Sequence, residues 1–458
     1  MNKIKYLTGI LIILFAFSGL NAAYAIKETN KKQENTEQKD VVLKSRIEYN
    51  DIIKKAEEHS YDLKAADFSI MISKQGITEA RSEYFPKLNL GATTEYTKNF
   101  RDAKDSTVMS IGDSFINPYT RFQTVLGVNM AYNLFDFGLR RNILKMAKED
   151  VEIKKMEEKQ RLQDVVLNVT DTYAKILMLI AQESAYEQIE QLQDKNLGYY
   201  QRLYDAKVVS STDLNLAKVN LEQTRKQLSE IKSLKAESVS WLSFYTGEEY
   251  DVDNLTAENF VDIEFNPFEE RNIENSVVWK LHEKIIKKKG YEVKAAKRVN
   301  YPKVTAYSRY YLYGSDYSSY VDNINNIRRS NFSVGGSINM PVFDGFKNSA
   351  NIKTKKLELE QLLVERDKAL AEYITKLAIM RSNLSYLNKQ IEDNEIIEKE
   401  LAQKADSTDR LVANRVASPI EGNNAQIEFL KQNIESVKNE TAKEAIVRVI
   451  EVLTREYK

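Results

Sequence analysis

The chain has 458 residues, with 67 Lys and Arg balanced by 67 Asp and Glu, two His and no Cys. Balanced charge gives no electrostatic footprint for nucleic acid, and the missing thiols exclude disulfides, a cysteine nucleophile and an N-terminal lipid on cysteine. Only 15 Gly and 6 Pro punctuate a sequence that is 29% charged, a combination favouring long helices over a compact mixed fold.

Residues 1–25 open with Lys3 and Lys5, continue through an apolar run from Leu7 to Leu20, and close on Ala23 and Ala25 in an A-x-A arrangement. That is the pattern of a secretory signal peptide, so the chain is expected to be exported. Residues 26–40, IKETNKKQENTEQKD, are polar and aperiodic and read as a flexible lead-in. A helix is predicted over 41–83, ending before Pro86 in YFPKL. A strand follows at 87–97, and a second at 122–135. In the second, Thr124, Leu126, Val128, Met130, Tyr132 and Leu134 alternate with Gln123, Val125, Gly127, Asn129, Ala131 and Asn133. An apolar face opposite small and polar residues is how a membrane barrel strand separates lipid from lumen.

From 139 to about 206 there is no proline and a single glycine, Gly198, while Leu162, Val166, Val169, Tyr173, Ile176 and Ile180 recur at gaps of four and three. This is a coiled-coil stripe, and at 1.5 Å per residue the helix would run about 100 Å, wider than an ordinary domain. A returning helix over 212–245 carries Leu214, Leu221 and Leu228. The acidic segment 248–272 links this first repeat, 41–247, to a second, 273–458. There a helix is expected over 273–299, broken at Pro302 in NYPKV, then strands at 303–313 and 332–343, a long helix over 348–411 and a returning helix over 422–457. Phe332, Val334, Ile338, Met340 and Val342 are expected on the apolar side of the last strand; Pro341 would end its ladder and Asp344 would cap the next helix.

The halves match at a constant offset: Leu134–Phe135–Asp136 and Val342–Phe343–Asp344 are 208 residues apart, and RLYDAKVVSSTDLNLA aligns without a gap to RLVANRVASPIEGNNA at the same offset. Four strands cannot close a barrel, which needs about eight, and a membrane tolerates no open sheet edge, so the chain is expected to oligomerise. His59 and His282 lie in different helices without ligand spacing, and no phosphate loop or catalytic constellation is present. Neither an enzyme nor a cofactor is indicated. The competing reading is a periplasmic coiled-coil adaptor or stalk without a pore, which should instead show compact, turn-rich β domains flanking one helical hairpin.

The doubled P-K-aliphatic strand entries, the LFDFG and PVFDGF strand exits, and the turns YDAKVVSSTD and VANRVASPIE resemble the TolC family of outer-membrane channels over nearly the whole mature chain. The resemblance implies a mainly helical fold, with four strands per chain forming a twelve-stranded barrel in a homotrimer and a helical tunnel crossing the periplasm. It also implies an exit duct for efflux or type I protein secretion, working with a periplasmic adaptor protein and an inner-membrane pump. Lys207, Val208, Val209 and Ser210, with Arg415, Val416, Ala417 and Ser418, would form the periplasmic tip and meet the adaptor. Asp213 and Glu421 would ring a constriction, favour the N-termini of the returning helices, or do both. Phe135, Asp136, Phe343, Asp344, Pro86 and Pro302 would mark strand–helix junctions at the lipid interface. Relatives usually carry glycine where Lys207 and Arg415 stand, so the turn geometry is the point of departure.

Overall fold

The computed structural model describes residues 44–97, 109–111, 114–116, 122–261, 263–269, 272–327 and 329–455. The expected signal peptide and lead-in lie outside the described residues. The first elements are β1 (Arg46–Ile47), α1 (Tyr49–His59) and α2 (Tyr61–Ser82). The single helix expected over 41–83 is therefore a short strand and two helices. Ser60 makes the break: its backbone is extended at ψ 122° and its Oγ accepts the Leu63 amide at 3.3 Å, capping α2.

β2 (Lys87–Tyr96), a small hairpin of β3 (Met109–Ile111) and β4 (Ser114–Ile116), and β5 (Phe122–Phe135) come next, followed by α3 (Leu139–Asp205), α4 (Ser211–Thr246) and β6 (Thr256–Ala257). After a 3-10 turn at Ile273–Asn275 come α5 (Val277–Arg298), β7 (Lys303–Asp316), α6 (Tyr320–Asn325), β8 (Arg329–Asn339), α7 (Lys347–Ala413) and α8 (Pro419–Thr454). α3 and α7 each have 67 residues, α4 and α8 each 36, and every one of these helices in the second half begins 208 residues after its counterpart. α5 has 22 residues, as α2 does. The asymmetry between the halves thus lies in the additional helix α1, not in a shortened α5.

The helices form a two-tier row. α3 is flanked by α2 above and α4 below on one side, and by α5 above and α8 below on the other; α7 closes the row against α5 and α8. Nineteen α3 residues are buried against three in α7, so α3 is the interior of the row and α7 its open end. The main core lies at the waist, where Tyr49, Tyr173 and Phe260 meet edge to face around Ile52, Val169, Ile176 and Leu242. The phenol of Tyr173 donates to the Glu258 carbonyl at 2.7 Å, and burial pushes its pKa up. The parallel pair β1–β6 ties the link between halves to this core. Higher up, the seams are ionic: Lys287 with Glu149 at 2.8 Å joins α5 to α3, and Lys355 with Glu292 at 2.8 Å joins α7 to α5.

The principal sheet is antiparallel in the order β2-β5-β7-β8. Strand order follows helix order because α2 enters β2, β5 enters α3, α5 enters β7 and β8 leads to α7. β8 stops at Asn339, which pairs with Lys303, the first residue of β7. The strand expected to reach 343 has no neighbour beyond that point, and Pro341 offers no N–H to extend the ladder. Met340 and Val342 are consequently exposed residues past the strand, not its last apolar positions.

Candidate functional site

Register decides which side chains share a face of the sheet. Leu88, Leu90 and Ala92 oppose Met130, Val128 and Leu126; those in turn oppose Ser308, Tyr310 and Leu312, and Ser308 and Tyr310 meet Val334 and Phe332. On this face the four strands carry a single charged residue, Asp316, at the outermost end of β7. The other face carries Lys87, Glu95, Lys303, Arg309 and Arg329 among Asn, Ser, Thr and Tyr. A shift between Asn133 and Phe135 pairs Phe135 with Val304. This bulge moves Phe135 to the apolar face, which strict alternation would have denied it.

Two glycines shape the polar face. A Cβ on Gly127 would lie 2.5 Å from the ring of Tyr311, and one on Gly335 would lie 2.7 Å from the hydroxyl of Tyr307. Each tyrosine therefore lies over the glycine directly opposite it in the neighbouring strand. At the outer end, α6 folds back over the apolar face. Its buried Asn323 donates to Thr124 Oγ1 at 2.7 Å, and Thr124 is 3.1 Å from Thr94 Oγ1.

At the opposite end lie the strand–helix junctions. Asp136 is 5% exposed; its carboxylate accepts the amides of Gly138 and Arg140, both at 3.1 Å, and pairs with Arg140 Nε at 2.7 Å. The same guanidinium donates to the Glu83 carbonyl at 3.1 Å and lies 4.9 Å from the Tyr84 ring centroid. Thus the start of α3 is fastened to the end of α2, just ahead of Pro86 and β2. In the second half Asp344 accepts the Asn348 amide at 2.9 Å, and Asn348 Nδ2 donates to the Ala296 carbonyl at 3.5 Å, ahead of Pro302 and β7. Both chain reversals use two consecutive left-handed residues, Phe137–Gly138 at φ 54° and 89°, and Gly345–Phe346 at φ 66° and 66°. Phe85, Phe135, Phe343 and Phe346 are exposed around these junctions, and Phe135 stacks edgewise on Phe137. Arg140 and Asn348 escaped the sequence reading, although Arg140 stands four residues beyond Asp136, the spacing of a helical ion pair.

At the far end of the helices, each reversal is built from two standard caps. Val208 N donates to Leu203 O at 2.8 Å and Lys207 N to Tyr204 O at 2.9 Å; Val416 and Arg415 do the same to Leu411 and Val412. This is a Schellman closure, whose left-handed position normally holds glycine. Here Lys207 and Arg415 occupy it, both at φ 60°. Ser210 and Ser418 then cap α4 and α8 in reciprocal boxes with Asp213 and Glu421. The Ser210 hydroxyl and amide hold the Asp213 carboxyl below the usual carboxylate range. Both acidic residues are thus engaged as helix caps. Val208 and Val416 project outward, 68% and 74% exposed, while Val209 and Ala417 complete the turns. A small amide cluster, Asn196 with Asn423 at 2.8 Å and Asn424 at 3.0 Å, locks α3 to α8 nearby; it gave no signal in the sequence.

Among the described residues no helix is long and apolar enough to cross a membrane. No curated protein matches the sequence. Solved structures do resemble the fold. The outer-membrane channel CmeC of Campylobacter jejuni superposes with a TM-score of 0.74 at 15% identity, covering 90% of this chain and 86% of that one. The outer-membrane protein VceC of Vibrio cholerae gives 0.71 at 15% identity, covering 90% and 97%. CusC, a protein that forms a transmembrane channel, gives 0.71 at 15% identity, covering 92% and 95%. The profile of the outer membrane efflux protein family matches residues 52–248 and 284–450. With the match spanning both long hairpins and both sheet halves, this chain belongs to the outer membrane efflux protein family, whose members are channels of the outer membrane and not enzymes.

Proposed function

We propose that three copies of this chain close into a ring whose twelve strands form a β-barrel in the outer membrane and whose helices form a tunnel across the periplasm. The duct would serve efflux of small molecules or type I protein secretion, together with a periplasmic adaptor and an inner-membrane pump. The observation that carries this reading is the partition of charge in the sheet: one face has a single charged residue at its rim and the other has five. An apolar face of that kind suits lipid, and a polar one suits a watery bore.

Ring closure is supported by the order of elements. β2 and β8 are the sheet edges and are exposed along most of their length, and α2 and α4 lie at the end of the row opposite α7. Side chains at 3.6-residue spacing on α2, namely Phe68, Met71 and Ile72, are exposed, as are Leu357, Val364 and Tyr386 on α7. Joining β8 and α7 of one copy to β2, α2 and α4 of the next removes every edge and covers both stripes in one heterologous contact that repeats around an axis. The offset of 208 residues, kept in helix lengths as well as sequence, fits a duplication that makes a ring of six half-chains.

At the far end, the exposed Val208 and Val416, beside the cationic Lys207 and Arg415, offer an adaptor mixed apolar and charged contacts. Asp213 and Glu421, three of each, would ring the closed tip and favour cations there. The chain has no native cysteine, so cysteines introduced pairwise along β2 and β8 test the assembly without background. The expected result is a crosslinked trimer in outer-membrane fractions, together with conductance in planar bilayers. A protein that fractionates with soluble periplasmic contents and forms no conductance would refute the duct.

A further inference from the structure

The outer end of the sheet carries an element that strand pairing does not require. After β7 the chain turns at Asp316, whose carboxylate accepts the amides of Ser318 and Ser319, both at 2.8 Å, and α6 then packs back onto β5 and β7. Its seat is on the apolar face. Asn323 is fully buried and donates to Thr124. Gly314 stands opposite Thr124 in the neighbouring strand, and a Cβ there would collide with the backbone carbonyl of Asn323. The Tyr320 ring lies 6.3 Å from that of Phe122, which lies 5.0 Å from that of Tyr96, so three aromatic rings line this rim. Tyr320 and Val321 are 47% and 60% exposed, and α6 carries a single charge, Asp322.

β5 and β7 have 14 residues each, more than the about 9–11 that a tilted strand needs to cross a bilayer. α6 covers the surplus. Beyond its seat at Thr124 come residues 126–135 of β5, which at about 3.4 Å per residue and a tilt of about 45° rise about 24 Å, the height of a barrel's apolar band. They end at the exposed Phe135 of the inner junction. The rings under α6 and the phenylalanines at the junctions thus stand at the two borders of one apolar strip. Neighbouring copies would join at β2 and β8, whereas α6 sits on the two central strands, clear of that contact. Resting on the duct reading, which turns this face to lipid, we propose that α6 is an interfacial helix. It lies in the outer leaflet at the boundary between acyl chains and headgroups, with Tyr320 and Val321 as its lipid contacts, and it sets the depth of the barrel. Tyrosine suits that boundary because its ring is apolar and its hydroxyl is not. With no basic residue on the helix, the contact is with the boundary itself and not with headgroup phosphate.

The test uses the full-length protein in phosphatidylcholine vesicles. The chain has no cysteine, so Val321→Cys takes one nitroxide label, and power-saturation EPR compares its access to oxygen, which enters lipid, with its access to a water-soluble nickel chelate. Val128→Cys, within the apolar strip, and Val208→Cys, at the helical tip, serve as lipid and water references. The expected result at position 321 is a loss of nickel access relative to 208, with a depth between those of 208 and 128. Adding Gly314→Val should lift α6 from its seat and return the label at 321 to the value at 208, while the label at 128 stays deep and reports an intact sheet. A label at 321 as open to nickel as that at 208 overturns the interfacial helix while leaving the duct standing, and an unchanged depth after Gly314→Val overturns the seat that places it. A depth that shifts when phosphatidylglycerol replaces part of the phosphatidylcholine would assign the contact to headgroup charge and overturn the boundary assignment. Nickel access at 128 equal to that at 208 overturns the duct and the interfacial helix together.

Discussion

Removing the Arg140 cation tests whether the strand–helix junction is held by its ion pair. The Asp136 and Arg140 side chains are only 6% and 10% exposed. Arg140→Met would leave a buried carboxylate with two amide donors, those of Gly138 and Arg140 itself, and would strip the Glu83 carbonyl of its donor. Breaking one partner of a buried pair costs 3–5 kcal/mol, and the surviving amides put this case near the lower end, about 3 kcal/mol. The loss is local, so the suitable assay is hydrogen exchange by mass spectrometry on a peptide spanning residues 132–145 in the detergent-solubilised protein. At 1.36 kcal/mol per factor of ten, exchange of the protected amides should accelerate about a hundredfold. Arg140→Asn introduces the residue found at the equivalent place in the second half, Asn348. It should cost about 1–2 kcal/mol, since an uncharged donor replaces the cation. In a cycle with Asp136→Asn, the double variant Asp136→Asn/Arg140→Met should fall short of additivity by about 2 kcal/mol. Unchanged exchange in Arg140→Met, or strict additivity, would show that the junction is held by its backbone geometry alone.

At the tip, Lys207→Gly and Arg415→Gly should each stabilise the turn by about 1 kcal/mol, because both residues sit at φ 60°; exchange across residues 200–212 and 408–420 should slow, whereas a β-branched Lys207→Val should speed it. Gly127→Ala should cost about 1–3 kcal/mol by forcing a Cβ against the Tyr311 ring. It should reduce the fraction of folded sheet in unheated gels, and a second change, Tyr311→Ala, should recover part of the loss. Asp213 has a depressed pKa in the folded chain, so its capping contribution is complete above the unfolded value of about 3.9 and disappears as pH falls through the lower folded value. Ser210→Ala should move the carboxyl titration upward in carbon NMR of selectively labelled protein; an unmoved titration would remove the cap as its cause.

How far the sequence carried depended on the range of the interactions involved. Helix and strand periods were legible because burial repeats along the chain: the long helix expected over 139–206 is α3 at Leu139–Asp205, and the alternation at Gln123 to Leu134 lies in β5 at Phe122–Phe135, where only the register shift between Asn133 and Phe135 departs from it. The break at Ser60 was not, since one serine cap in 41–83 competes with an otherwise good helical stripe, and the parallel partner that draws β1 out of the helix lies more than two hundred residues away. The end of β8 depended on where β7 begins, which its own sequence does not contain. Arg140, Asn348 and the tyrosine–glycine pairs are invisible for the same reason, being contacts between neighbours in space.

Lys207 and Arg415 make the contrast sharpest. A rule of local propensity would place glycine there and expects a strained turn without it. Yet the left-handed conformation costs only about 1–2 kcal/mol per residue, while the surrounding closure supplies two backbone bonds before each residue's turn and a reciprocal serine–acid box after it. Those bonds outweigh the strain, so the turn keeps its shape and gains a cation at its apex. Since glycine would give the same backbone at lower cost, the basic side chains are best understood through what they face. With Val208 and Val416 exposed beside them, that points outward, to solvent and to the partner surface proposed above, and not inward to the fold.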